Sequence, residues 1–405
     1  MNRYRYQWRS LFLMVVAWSV AGIAHNCVAF LFPFFSKTFA LGTGHNGYLS
    51  GTLAFFWVLA ILFGGRLAEK LGQIRVIFPG LLLGGAALVI LSLSKSVAML
   101  YIFTPFVGLG CGTIVSASLS FLAEQSDPKY RGLFYGTAQS SFTLIGSALG
   151  SVVFTRLGAS ALGWQGCYVL MGVLVIVAAL MIFFGGRHIP RGQEETQTAE
   201  KASFGELFAY RNVVLTTILA CLAMMWYFTV ASFTILYLME AKTLSAVAAG
   251  AIFAGFGSGG FIGEFAAPFV SDRLGRKPAI FFATLLGGGC FVLFVLAPLG
   301  GAGLTLAIAG ASCFMSGAMA ICNSVVPSES VPAHLVGTAT SFTPACGEMM
   351  GGVVAPVLAG VISGLLGTVH VMQLLMVLPV LILIGVLFLK ETAPAVLSRR
   401  AKRQN

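Results

Sequence analysis

Long stretches free of any Asp, Glu, Lys or Arg recur from one end of this chain to the other, and that pattern leaves few folds open. A segment buried in hydrocarbon must satisfy every backbone N–H and C=O internally, so such stretches are helices. A crossing takes about 20 apolar residues at 1.5 Å each. On that measure the sequence predicts spans near 10–35, 46–67, 75–94, 97–123, 132–156 and 164–186, then 211–239, 245–270, 278–298, 302–327, 336–363 and 368–389. Charged residues make up 9% of the 405, against roughly a quarter in soluble domains. The 49 glycines suit helices packed closely in lipid.

One longer polar stretch, about 187–210, divides the spans into six and six. The expected organisation is therefore a six-helix bundle over 1–190, a linker over 191–210, a second bundle over 211–390 and a tail over 391–405. The fold class is all-α integral membrane, with twelve helices in two pseudo-symmetric bundles.

Lys and Arg set the orientation. With both termini placed in the cytoplasm, that side receives Arg3, Arg5, Arg9, Arg66, Lys70, Arg75, Lys129, Arg131, Arg187, Arg191, Lys201, Arg211, Arg273, Arg276, Lys277, Lys390, Arg399, Arg400, Lys402 and Arg403. Only Lys37, Lys95, Arg156 and Lys242 of the 24 basic residues fall outside. The net charge of +11 is thus a signature of membrane orientation and gives no reason to expect nucleic acid as a partner. The expected location is a bacterial-type inner membrane, with a multi-pass, monomeric chain. The eight cysteines lie in apolar runs without CxxC or Cys/His spacing, so neither a disulfide framework nor a metal site is expected.

The halves repeat. Gly65-Arg-Leu-Ala-Glu69-Lys70-Leu-Gly72 after the second span matches Pro268-Phe-Val-Ser-Asp272-Arg273-Leu-Gly275-Arg276-Lys277 after the eighth. Gly136, Gly146 and Gly150 fall on Gly337, Gly347 and Gly351 at a constant offset of 201. The Asp272–Lys277 loop resembles the G-x-x-x-D-R-x-G-R-K signature of the major facilitator superfamily, and Gly146, Gly150 and Gly163-Trp164-Gln165 are similar to further motifs of that family. The first copy departs from the signature, with Glu69 for the Asp and Gln73-Ile74 for the basic pair. The resemblance implies secondary transport by rocking of two halves around a central site, with Gly65, Glu69, Gly72, Asp272, Arg273, Gly275, Arg276 and Lys277 acting in a cytoplasmic conformational gate. The Arg that many proton-coupled members carry in the fourth helix is absent, Thr104 standing at its place before Gly108.

Three ionisable side chains lie deep in the predicted spans: His25, Glu264 and Glu348. Charge at depth costs several kcal/mol on insertion scales and is retained mainly for function. Glu348 aligns with Ser147 and Glu264 with Ile61, so neither carboxylate is demanded by the fold. Glu348 is expected to bind protons or solute. Glu264, two turns from Asp272, could serve coupling or the gate, and His25 a carboxylate solute, a proton relay or packing. Asn26, Trp226, Tyr227 and Asn323 complete the candidate solute- and proton-binding set. Gly255-Phe-Gly257-Ser-Gly-Gly260 mimics a dinucleotide loop but lies inside a span, and Gly255, Gly259 and Gly263 are better read as a helix-contact stripe. No phosphate-binding loop, cofactor motif or catalytic constellation is present, so an enzyme is not expected. The leading expectation is proton-coupled uptake of an organic acid or similar metabolite; the alternative is proton-driven efflux of a drug-like or cationic compound.

Overall fold

The computed structural model describes residues 6–127, 130–187, 189, 204–393, 396 and 398, the side chains of Glu69, Arg131 and Ala333 excepted. Most of the expected linker and tail therefore lies outside the described residues. Twelve helices are long and apolar enough to cross a membrane: α1 Gln7–Phe39, α2 Gly44–Ala68, α3 Gln73–Ser92, α4 Val97–Gln125, α5 Gly132–Gly158, α6 Gly163–Gly186, α7 Arg211–Ala241, α8 Ala246–Leu274, α9 Arg276–Leu296, α10 Gly301–Glu329, α11 Val336–Leu366 and α12 Thr368–Leu387. No strand occurs among the described residues. The protein is a twelve-helix, multi-pass membrane protein.

Each half packs in the same way. In the first, α2 and α3 lie along α4, α3 along α6, and α1 crosses α5. In the second, α8 and α9 lie along α10, α9 along α12, and α7 crosses α11. Small residues make these approaches possible. A Cβ on Gly146 would sit 2.5 Å from the Gly22 Cα, and one on the matching Gly347 would overlap the Met224 side chain. The stripe Gly255, Gly259 and Gly263 lies against the carbonyls of Thr305, Ala309 and Cys313, so α8 and α10 touch backbone to backbone every four residues. Gly72 and Gly275 adopt nearly the same left-handed conformation, φ 98° and φ 103°. Side-chain-bearing residues avoid that region, which explains why both copies of the loop place Gly there.

The start of α7 and the segment after α12 lie together at one end of the bundle, since Arg211 and Asn212 hydrogen-bond the Phe388 and Lys390 carbonyls. The halves are sealed against each other toward the opposite, far end. There α2 meets α11 at Gly44, Gly47 and Gly51, facing Pro356, Val357 and Gly360. Thr43 and Ser363 exchange hydrogen bonds, and the Asn46 amide donates to the Ser232 carbonyl at 2.8 Å. The second seam is α5 on α8, where the Ser151 hydroxyl donates to the Gly250 carbonyl at 2.9 Å.

Candidate functional site

The site begins where the helical ladders of three spans are disturbed. At Asn26 the α1 helix is interrupted by a turn. The Asn26 amide donates to the Gly22 carbonyl at 2.8 Å and to the Ser147 hydroxyl of α5 at 3.2 Å. A side chain bonding back four residues competes with the ladder and loosens it. In α5 a π-helical stretch covers Phe142–Leu149, and in α11 another covers Met349–Val354, directly after Glu348 and one turn past Pro344. Wider turns of this kind reorient side chains and are frequent at functional sites. His25, Phe142, Thr143 and Glu348 all sit at these irregularities.

His25 is half-buried and ringed by aromatics from both halves. Its ring centre lies 4.9 Å from Trp57 of α2, 5.6 Å from Phe142 of α5 and 5.6 Å from Phe228 of α7. His25, Asn26, Ser50, Phe228, Ser232 and Gly352 are among the residues lining a small cavity between the halves, of about 10 Å³. That is space for about one water molecule. The Glu348 carboxylate reaches the same place: its Oε2 lies 3.5 Å from where a Gly352 Cβ would stand. Gly352 therefore makes room for the carboxylate beside the His25 cavity.

Glu264 joins the two halves directly. The Thr143 hydroxyl of α5 donates to Glu264 Oε2 of α8 at 3.2 Å. Tyr227, buried on α7, is near enough to both Glu264 and Glu348 for their charges to act on its phenol. Its ring packs 5.0 Å from Phe256 and 5.4 Å from Phe228. One imidazole, one phenol and two carboxylates, carried by four helices of both halves, thus converge on one region of the seam. No Lys or Arg lies nearby in these spans. Such a set can take up and pass on protons or hydrogen-bond a polar solute, while the surrounding rings offer an apolar wall.

The repeated motif, where the gate is expected, lies around the turns from α2 to α3 and from α8 to α9. Arg276, 5% exposed, is the hub of the second copy. It pairs with Asp272 at 2.5 Å and bidentately with Glu329 at the end of α10, at 2.8 and 3.2 Å, and donates to Ser271. Glu391, beyond α12, accepts from the backbone N–H of Arg276 and of Lys277 at 2.7 and 3.2 Å. Lys277 donates to the Leu387 carbonyl, and Arg273 is exposed outside the cluster. In the first copy Gln73 occupies the place of Arg276 and hydrogen-bonds Glu124 at the end of α4. An amide–carboxylate pair there replaces the bidentate ion pair. Gly65 packs on Ser116 of α4, and the Glu69 side chain lies outside the described residues.

Not every candidate converges. Trp226, neighbour of Tyr227, turns the other way: it is fully buried against Phe256 and Phe291, 6.3 and 5.1 Å between ring centres. Successive residues on a helix face different directions, so the structure places Trp226 in the second bundle's packing. Asn323 lies on a π turn of α10, its Oδ1 buried without a hydrogen-bond partner. Trp57, Phe142 and Thr143 belong to the site although nothing in their sequence neighbourhoods marks them. Among the described residues no His/Cys/Asp/Glu group could hold a metal ion.

Comparisons with known proteins agree with this architecture. The chain is 24% identical over 284 residues to the cis,cis-muconate transport protein of Acinetobacter baylyi, 67% of this chain and 68% of that one. It is 26% identical over 300 residues to a probable 4-methylmuconolactone transporter of Cupriavidus pinatubonensis, 70% and 67% of the two chains. It is also 24% identical over 361 residues to the 3-(3-hydroxy-phenyl)propionate transporter of Escherichia coli K12, 87% and 84%. Among solved structures, a bacterial homologue of the human lysosomal transporter Spinster superposes with a TM-score of 0.77 at 17% identity, over 94% of this chain and 96% of that one. A family profile described as Major Facilitator Superfamily matches residues 10–349. The chain belongs to the Major Facilitator Superfamily and is a membrane transporter rather than an enzyme.

Proposed function

We propose that this transporter takes up a small organic acid together with protons, by alternating access of a site between its halves. The observation that carries this reading is the meeting of the halves around His25, with Glu348 beside its cavity, Tyr227 packed on the Phe228 that touches His25, and Thr143 linking Glu264 across the seam. Two unit charges of like sign about 4 Å apart repel by about 4 kcal/mol at an effective dielectric of 20. An anionic solute beside two ionised carboxylates and no fixed cation is therefore poorly held. The site takes such a solute once protons neutralise the carboxylates or charge His25, which ties solute binding to proton binding. The names of the relatives, carriers of muconate and of a hydroxyphenyl acid, point to the same solute class.

The spans expected from the sequence put twenty of the 24 basic residues on the side where both termini fall. The positive-inside rule then puts both termini in the cytoplasm of a bacterial inner membrane, and the far-end seal faces outside. Rocking of one half on the other exposes the site to either side in turn. A second reading, efflux of a cationic aromatic compound, is favoured by the same two carboxylates beside Tyr227 and Phe228.

Counterflow in proteoliposomes separates the two readings. A panel of carboxylates and lipophilic amines is offered with and without a pH gradient. Saturable carboxylate uptake, accelerated by an acidic outside, is the expected result. Saturable exchange of amines with no carboxylate uptake replaces the first reading by the second.

A further inference from the structure

A cavity of about 620 Å³ lies away from the candidate solute site, at the start of α3 between α4 and α6. Its floor is apolar: Phe78 and Phe183 pack at a tilt with ring centres 4.6 Å apart, beside Phe121 and Pro79. Its mouth carries two arginines, Arg75 and Arg187, both exposed. Neither makes an ion pair among the described residues; the Arg187 guanidinium lies 5.2 Å from the Phe184 ring centre. From Gln73 at the helix start to Pro79 is about 9 Å along α3 at 1.5 Å per residue. The cavity therefore runs from headgroup depth into the hydrocarbon.

The second half shows what fills the equivalent place. At the start of α9 the chain's own segment after α12 lies over the helix, with Leu389 and Ala393 buried. The Glu391 carboxylate there accepts from the N–H groups of Arg276 and Lys277. At the start of α3 the matching residues are Gln73 and Ile74, and no described carboxylate meets their N–H groups. Glu124 also lines the cavity, its carboxylate hydrogen-bonded to Gln73. Among the described residues the first half thus presents two arginines without an ion pair, a helix start without a side-chain cap and an apolar trough, where the second half has supplied Glu391 and apolar side chains of its own.

We propose that this groove is a binding site for an anionic phospholipid. Arg75 and Arg187 hold the headgroup phosphate, and Phe78, Phe121 and Phe183 receive the upper acyl chain. Basic pockets between helices at the membrane surface bind such headgroups, and guanidinium groups suit phosphate oxygens. The site is independent of the solute reading.

The test measures binding to delipidated, purified protein by native mass spectrometry. The probes are short-chain phosphatidylglycerol, phosphatidylcholine of the same chains, and inorganic phosphate. Saturable binding of phosphatidylglycerol is expected, at least tenfold weaker in the double variant Arg75→Gln/Arg187→Gln and unchanged in Arg156→Gln at the far end. Melting temperatures of the variants without lipid confirm that each is folded. Equal binding of the two lipids, or equal binding by wild type and double variant, overturns the proposal. Competition by inorganic phosphate alone makes this a free-anion site and overturns the lipid assignment. Binding that appears only in Glu194→Gln/Glu195→Gln means that the linker's own acids cover the groove, which also overturns it.

Discussion

Adding one methyl group at Gly47 tests whether the far-end seam opens and closes. A Cβ there would lie 2.7 Å from the Cα and N of Gly360 and overlap the Pro356 carbonyl. Non-bonded carbon atoms need about 3.5–4.0 Å, so α2 and α11 must part by roughly 1 Å. Overpacking of this size costs about 1–3 kcal/mol, and it is felt only while the two helices are in contact. The equilibrium between the sealed state and the state open at the far end then shifts by about 5- to 150-fold toward the open one. Gly259→Ala is the control. Its Cβ would be 2.9 Å from the Ala309 Cα, an equal misfit in a contact inside one half, which persists in both states. Hydrogen exchange in nanodiscs reads the difference. Gly47→Ala is expected to speed exchange over residues 44–54 and 352–364 with little loss of melting temperature, whereas Gly259→Ala lowers the melting temperature and leaves those segments unchanged. If Gly47→Ala merely melts earlier, like the control, the seam is fixed packing and the reasoning fails.

The polar contacts set three further expected outcomes. Thr143→Val and Glu264→Met should be coupled in a double-mutant cycle of unfolding free energies by about 0.5–3 kcal/mol, since each deletes the one bond they share across the halves; strict additivity removes Glu264 from the interface. Arg276→Gln leaves Glu329 and Asp272 without their cation and should destabilise by about 3–5 kcal/mol, a loss visible in thermal unfolding. Substituting Arg273, which is exposed outside the cluster, should change stability by less than about 0.5 kcal/mol.

The twelve spans were legible because lipid leaves the backbone one solution: apolar runs become helices. The repeat was legible through its glycines, since Gly72 and Gly275 are required by positive φ and the Gly255–Gly263 stripe by contact with α10. The weaker first copy of the signature becomes intelligible in the structure, where Gln73 and Glu124 stand in for Arg276 and Glu329. Span ends were less legible: α1 runs over Gln7–Phe39, beyond the expected 10–35, because polar residues such as Gln7 and Lys37 are tolerated where a helix leaves the hydrocarbon. Within the site, rare charges announced His25, Glu264 and Glu348, because each is costly at depth. Thr143, Phe142 and Trp57 carried no such mark. A threonine in an apolar span is usually unremarkable, and its bond to Glu264 links residues 121 apart in sequence. Asn26 was visible as a polar residue, but not that its amide is used on the α1 turn and on Ser147. Trp226 and Tyr227 are adjacent in sequence, and only helix phase separates the packed ring from the one facing the carboxylates.

The most direct test of proton coupling compares two assays on Glu348→Gln in proteoliposomes. Counterflow exchanges solute without net proton movement, whereas accumulation driven by an acidic outside requires the coupling group to load and release a proton. The amide keeps the shape and hydrogen bonding of the carboxyl group but cannot titrate. With a carboxylate solute that the wild type accumulates, Glu348→Gln is predicted to retain counterflow and to lose gradient-driven accumulation by at least tenfold. Undiminished accumulation by the variant, at wild-type protein levels, would contradict a coupling role for the carboxylate between the halves.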